Sequence, residues 1–453
     1  MLFNNFELED LYNSYEKAYS FSFSTACLNP LSIHQVFSLY EERDQEFLLK
    51  DLLNLELDYS SKYGLAEFYS ALENIYNPQE GENENTENRI MHCSPRESEN
   101  AESGVVQQSL KEGCEQSQFG TYKQCPKLKF LSTSGAAEAI IILFSSLFTL
   151  GDSLIVQKPI YPSLYKIPEG LGCRVIDWDF KWAEDFQLNL ESLKKIIREN
   201  PEVKALVINN PNNPCGYCFN EFELKELINI LNGRYLIADE VFRDICLKPI
   251  PAVANLYEKG ISISDVSKSY GLQGLRVGWI ATQEKKIIEK CLSQKSYFSL
   301  RTSILSEKIT ALTLNKRGTL LENSKILIKK GLEKIYENPN VIKLTKAGLN
   351  TGVCEQPSKN FLGEVSVDLS QDSFGGLCML AKLNSCSKNN LKSLTSDKPS
   401  SLANKNAENE DYEQSPVEKF FQELLKQEIF ILPGKVFGME YSEYFRLSVL
   451  RIS

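Results

Sequence analysis

In the stretch SISDVSKSYGLQGLRVGWIA, residues 262–281, an apolar, strand-like run stops at Lys268, and a glycine-punctuated loop then carries Arg276 into a second apolar run. An amine at the end of a strand stands where α/β proteins gather their reactive groups. A solvated surface ammonium is the plainer account of any single lysine, but other strand ends carry chemistry too. TSGAAEA follows one run and would present the backbone N–H groups of Gly135 and Ala136, with the Ser134 hydroxyl, at the start of a helix over 137–149. Such a turn binds an anion through its donors and the helix dipole. NNPNNPCG, with Asn213, follows a second run, and IADEVF closes a third on Asp239. Near the end of the chain YFRLSVL carries Arg446, whose planar fork suits a carboxylate. Each motif is weak alone, because Asn-Pro runs are usually loops and acidic residues at strand ends are often caps. Their order and spacing together are specific.

The elements that must position these residues follow the same rhythm. From about 128 onward, short β-branched or apolar runs (129–135, 152–156, 173–178, 203–210, 234–240, 261–266 and 276–282) alternate with helical patterns at 137–149, 189–199 and 219–232. This is the pattern of parallel βαβ units. The expected fold is α/β, with a large domain built on a mostly parallel seven-stranded sheet flanked by helices. Beyond about 283 long helices lead to a smaller α+β domain, formed by the C-terminal part with the N-terminal segment. The expected boundaries are 1–55 for the N-terminal arm, 56–295 for the large domain and 296–453 for the small one. Residues 78–125 and 384–415 are rich in Asn, Ser, Glu and Lys and poor in apolar residues, so burial cannot offset their ordering entropy. They read as disordered surface insertions.

With 453 residues, 42% of them hydrophobic, and a net charge of −10, the chain reads as a globular protein whose main partner is not a nucleic-acid backbone. The N-terminus lacks the basic start and apolar core of a secretory signal, and the longest apolar run, 139–150, is too short to span a bilayer. A cytoplasmic protein that engages no membrane is expected, and the 12 scattered cysteines suit a reducing compartment. Cys215 and Cys218 form a single CxxC, with only His34 and His92 as histidines, so no metal site is expected.

In this order the motifs resemble those of the class I/II aminotransferases, the fold-type I enzymes that use pyridoxal 5′-phosphate, over roughly residues 25–77, 126–345 and 375–450. The resemblance implies that Lys268 holds the cofactor aldehyde, with a pKa lowered by burial beside a cationic neighbour. It implies that Asp239 keeps the ring nitrogen protonated and that Asn213 bonds the ring 3′ oxygen beside the substrate. Ser134, Gly135, Ala136 and Arg276 would hold the phosphate, Tyr161 would stack on the ring, and Arg446 would grip the substrate α-carboxylate. Tyr59, in DYSSKYG, would reach the phosphate of a neighbouring subunit, which implies a homodimer with shared sites. The implied activity transfers an amino group from an α-amino acid to a 2-oxo acid.

Several positions depart from the family pattern. Asp265 stands where most members have a phosphate-binding serine; its charge would repel phosphate, and Ser267 would supply the hydroxyl instead. Phe242 replaces a tyrosine that bonds the 3′ oxygen, and Cys215 replaces a threonine or serine. The chain stops at Ser453, soon after Arg446 and short of the usual closing helix, which reads as a truncated small domain or an incomplete gene. Asp265 and Phe242 fit an elimination, a cyclisation or an amino-acid oxidation as well as a transamination, and a degenerate homologue retained for binding is the third reading. The segment LNPLSIHQ (28–35) is expected to bear on substrate side-chain selectivity. Limited proteolysis of the cofactor-loaded protein is expected to cut first within 78–125 and 384–415; first cuts inside 129–282 would overturn the assignment of the insertions.

Overall fold

The computed structural model describes residues 6–15, 21–22, 26–77, 127–179, 189–337, 343–346, 364–367, 377–383, 418, 421–422, 429–439 and 444–448. The two polar stretches, 78–125 and 384–415, lie outside these residues.

Seven strands form the large sheet: β1 (Lys129–Thr133), β2 (Ser153–Lys158), β3 (Arg174–Asp179), β4 (Ala205–Asn209), β5 (Tyr235–Asp239), β6 (Gly260–Asp265) and β7 (Gly278–Thr282). Their order is β1-β7-β6-β5-β4-β2-β3, and only β7 runs against the rest. Every residue of β2, β4, β6 and β7 is buried, as it must be when helices cover both faces of a parallel sheet. That is why these segments read as unbroken apolar runs rather than alternating ones. The flanking helices include Ala136–Leu147, Leu190–Glu199 and Glu221–Leu231, close to the sequence expectation. The last begins on a capping box in which the Asn220 side chain accepts from Glu223 N and the Glu223 carboxylate accepts from Asn220 N.

Past the large sheet the helices Lys285–Phe298, Ile304–Asn315 and Arg317–Glu337 lead into a second sheet. Its strands are β8 (Lys343–Lys346), β9 (Glu364–Val367), β10 (Cys378–Leu383), β11 (Leu432–Pro433) and β12 (Tyr444–Ser448), in the order β11-β12-β10-β9-β8. The N-terminal segment joins this part of the chain, with Phe21 and Ser22 pairing in parallel with Ile429 and Phe430. Phe430, Leu432, Phe437, Phe445 and Leu447 share one apolar core with Leu8 and with Ile140 and Leu143 of the helix after β1. Burial of that shared face fixes β12, which carries Arg446, relative to the large sheet.

The sheet end that carries the motifs is tightly packed. A Cβ added at Gly278 would lie 2.7 Å from Gly135 C, 2.8 Å from Ser264 O and 2.9 Å from Ala136 N, all backbone atoms that cannot swing aside. Gly278→Ala is expected to lower the unfolding free energy in urea by about 2–3 kcal/mol. Gly318→Ala, in a helix with nothing within 4 Å of the added carbon, is the control and is expected to be neutral or to add about 0.5–1 kcal/mol. Equal midpoints for the two variants would contradict the close approach at Gly278.

Candidate active site

Strand β6 ends on Asp265, whose extended backbone and inward carboxylate start the one-turn helix Val266–Ser269 that carries Lys268. The Asp265 carboxylate accepts Ser267 N at 2.9 Å and the Ser267 hydroxyl at 3.1 Å, the usual work of an N-cap. It also accepts Ala136 N at 3.3 Å, from the turn after β1. Aspartate here is therefore a cap that ties two turns together, and Ser267 donates to it.

The turn after β1 is built for an anion. Gly135 takes φ of 82°, which opens the helix Ala136–Leu147, and its missing side chain leaves room for the guanidinium of Arg276: a Cβ there would lie 2.6 Å from Nη2. Arg276 itself is left-handed at φ 53° and donates through Nη1 to Gln273 O at 3.3 Å and to Ser267 Oγ at 3.5 Å. Ser134 N donates to Glu138 at 2.5 Å, and the same carboxylate meets buried Lys295 at 3.1 Å. Ser134, Gly135, Ala136, Ser267 and Arg276 thus come together as a helix start, two hydroxyls and a planar cation, a donor set that fits a phosphate ester.

The remaining residues lie at neighbouring strand ends. Asp239, 4% exposed at the end of β5, accepts Val241 N at 3.2 Å. Burial, with the nearby Asp265 and Glu240 charges, pushes its carboxyl up to about 7, against the pull of Val241 N and Lys268. Asn213 follows β4, donating its N–H to Asn209 Oδ1 at 2.7 Å and accepting Arg446 Nη1 at 2.9 Å. Arg446, 1% exposed on β12, gives its other terminal nitrogen to the Tyr12 hydroxyl. Tyr161 lies at the same end, edge-on to Phe6 with ring centres 6.0 Å apart, and feels the Lys268 charge. Phe242 is buried at 2% exposure. Cys215 places its thiol 2.7 Å from Asn212 Oδ1 while its N–H donates to the same oxygen at 3.1 Å, so the sulfur takes the turn-forming part of a hydroxyl. Its CxxC partner, Cys218, instead faces Cys246 at 3.8 Å between sulfurs.

Two findings differ from the sequence reading. Lys268 does not have a lowered pKa: burial pulls it down, but Cys27, Asp265 and Tyr12 outweigh that and hold the ammonium above its ordinary value. Tyr59 is not drawn to the other residues and stands 74% exposed. Sequence reasoning missed Tyr12, on the amphipathic helix Glu7–Tyr15, and Cys27, whose Sγ lies 3.0 Å from Lys268 Nζ. No spacing motif marks either, because both arrive from the N-terminal arm through tertiary packing.

Residues 120–344 match the family described as aminotransferase class I and II. The chain belongs to this family. Among curated aminotransferase-family relatives, it is 27% identical to a tyrosine aminotransferase of Dictyostelium discoideum over 55% of this chain and 64% of that protein. It is 26% identical to a capreomycidine synthase of Streptomyces vinaceus over 42% of this chain and 49% of that one. The chain thus aligns with about half to two thirds of the length of these relatives. A PLP-dependent aminotransferase from Streptococcus suis 89-1591 has the same aminotransferase fold, with a TM-score of 0.69 at 22% identity over 99% of this chain and 94% of that one.

Because Asp239 binds its proton more tightly folded than unfolded, its stabilising contribution is complete below the ordinary value of 3.8 and is lost as pH rises through about 7. In the cofactor-free aminotransferase fold, Asp239→Asn is therefore expected to match the parent near pH 4 and to exceed it at pH 8, by on the order of 4 kcal/mol. Urea unfolding at the two pH values checks this; a parent that is the more stable at pH 8 would contradict it.

Proposed function

We propose that this chain is a pyridoxal-phosphate-dependent aminotransferase that moves an amino group from an α-amino acid to a 2-oxo acid through Lys268. What supports this reading most is the meeting of Arg446, from the small sheet, with Asn213, from the large one, beside Lys268 and Asp239. Pyridoxal phosphate, when bound, holds an amino acid through its aldehyde and accepts the electron pair left when a bond to Cα breaks.

The chain's own residues would do the rest. Ser134, Gly135, Ala136, Ser267 and Arg276 would hold the phosphate, and buried Asp239 would face the ring nitrogen, whose positive charge would draw its carboxyl to the ionised form. Asn213 would bond the ring 3′ oxygen, and Tyr161 would lie against the ring. Arg446 would orient the substrate carboxylate, and Lys268 Nζ would take the Cα proton as general base. Tyr59, with the exposed apolar residues Phe47, Leu53 and Leu57, supports a homodimer in which the tyrosine reaches the partner's phosphate. The two sheets support the division into a large domain, 56–295, and a small one, 296–453, in a cytoplasmic enzyme.

A second reading, elimination or cyclisation at the same site, draws on apolar Phe242 and on the capreomycidine synthase among the relatives. A panel of amino donors separates the two. The transaminase converts bound cofactor to its amine form with a donor and regains the aldehyde form with a 2-oxo acid; no amine form with any donor would overturn the proposal. Lys268→Ala is expected to be colourless under borohydride-controlled spectroscopy, and Arg446→Met to raise KM at least about tenfold.

A further inference from the structure

The contact between Lys268 and Cys27 raises a question of proton placement. A lysine that attacks a carbonyl must first be a neutral amine, yet the environment of Lys268 favours the ammonium. Cys27 Sγ stands 3.0 Å from Nζ, and among the described residues no other side chain is within hydrogen-bonding distance of that nitrogen. The carboxylates of Asp265 and Asp239 act on Lys268 only through their charge, as does Tyr12. Tyr161 and Cys378 also feel the Lys268 charge, and Arg446 feels that of Cys27.

The sulfur is held there by its neighbours in the chain. Leu31 N donates to Gly271 O at 2.8 Å, and Gln273 Nε2 donates to Leu28 O at 3.3 Å. A Cβ at Gly271, where φ is 69°, would lie 2.6 Å from Asn29 O. Residues 28–31 are thus fastened to the loop that follows Lys268, which places residue 27 against the amine.

The geometry points to Cys27 as the proton partner of Lys268: Sγ takes the proton that Nζ must release, and returns it when the amine is next charged. The Nζ–H bond breaks as the Sγ–H bond forms, so an ammonium and a thiolate become an amine and a thiol with no change in net charge. No proton has to leave for bulk water. Cys27 is then a positioning and proton-holding residue for the lysine, an assignment that rests on the function proposed above.

The test uses the full-length chain, stripped of cofactor and mixed with pyridoxal 5′-phosphate, while the growth of the absorbance band that borohydride bleaches is followed from pH 6 to 9. The parent is expected to react at a rate nearly independent of pH. Cys27→Ala and Cys27→Ser are expected to be about tenfold slower at pH 7, with rates that climb as pH rises and hydroxide replaces the thiolate. Serine conserves the size and hydrogen bonding of the residue but not its acidity, so wild-type rates and pH profile in Cys27→Ser would overturn the proposal. A second readout needs no cofactor: alkylation of Cys27 by iodoacetamide at pH 7, followed by peptide mass, is expected to slow about tenfold in Lys268→Met. An unchanged alkylation rate would also overturn it. A bleachable band that persists in Lys268→Ala would overturn instead the function on which the inference rests.

Discussion

The carboxylate of Asp265 is the constraint on which the site depends. It closes the N-terminus of the turn that carries Lys268 and bonds the first amide of the helix after β1, so two separate loops share one acceptor. Buried carboxylates persist where their oxygens are satisfied, and this one meets Ser267 twice and Ala136 once. The amine and the anion-binding turn are thereby set at a fixed spacing before any ligand arrives. The cost is a negative charge beside the place where a phosphate would sit, offset by Arg276, whose left-handed backbone aims its guanidinium at Gly135.

Charge balance extends this logic inward. Asp239, Asp265 and Glu240 crowd the ends of β5 and β6, and each makes ionisation of Asp239 harder. Glu240 turns away from the cleft, accepting Val253 N at 2.8 Å and pairing with buried Arg243 at 3.0 Å. Arg243 also pairs with Asp244 at 3.0 Å and lies over the Tyr76 ring. One of two adjacent carboxylates is thus neutralised by its own cation, and the other faces the site unpaired by any arginine. A buried carboxylate so placed is poised to change protonation when a positive group comes to face it.

Sulfur replaces oxygen at two points. Cys215 closes the Asn213 turn as a hydroxyl would, because a thiol can bond Asn212 while filling a buried, apolar niche. Cys27 is different, since a thiol near an ammonium exchanges a proton that a hydroxyl would keep. The same element therefore serves as filler in one loop and as an acid–base group in the other, according to what faces it.

The α/β class, the strand order's raw material and the residues at the strand ends were all legible in the chain, because unbroken apolar runs and glycine-bearing turns are local properties. Lys268, Asp239, Asn213 and the TSGAAEA turn were found by their place after such runs. The part of Asp265 was misjudged, because whether a carboxylate caps a helix or opposes a ligand depends on where its oxygens point. The direction of the Lys268 shift was misjudged for a related reason: the sulfur that reverses it lies 241 residues away in sequence. Tyr12 and Cys27 carry no motif at all. Sequence alone determined which groups stand at the ends of strands, since that follows from hydrophobic pattern and turn chemistry. Only the tertiary structure decided which of them share a proton, a hydrogen bond or a field, since those energies depend on distances between segments that no local pattern encodes.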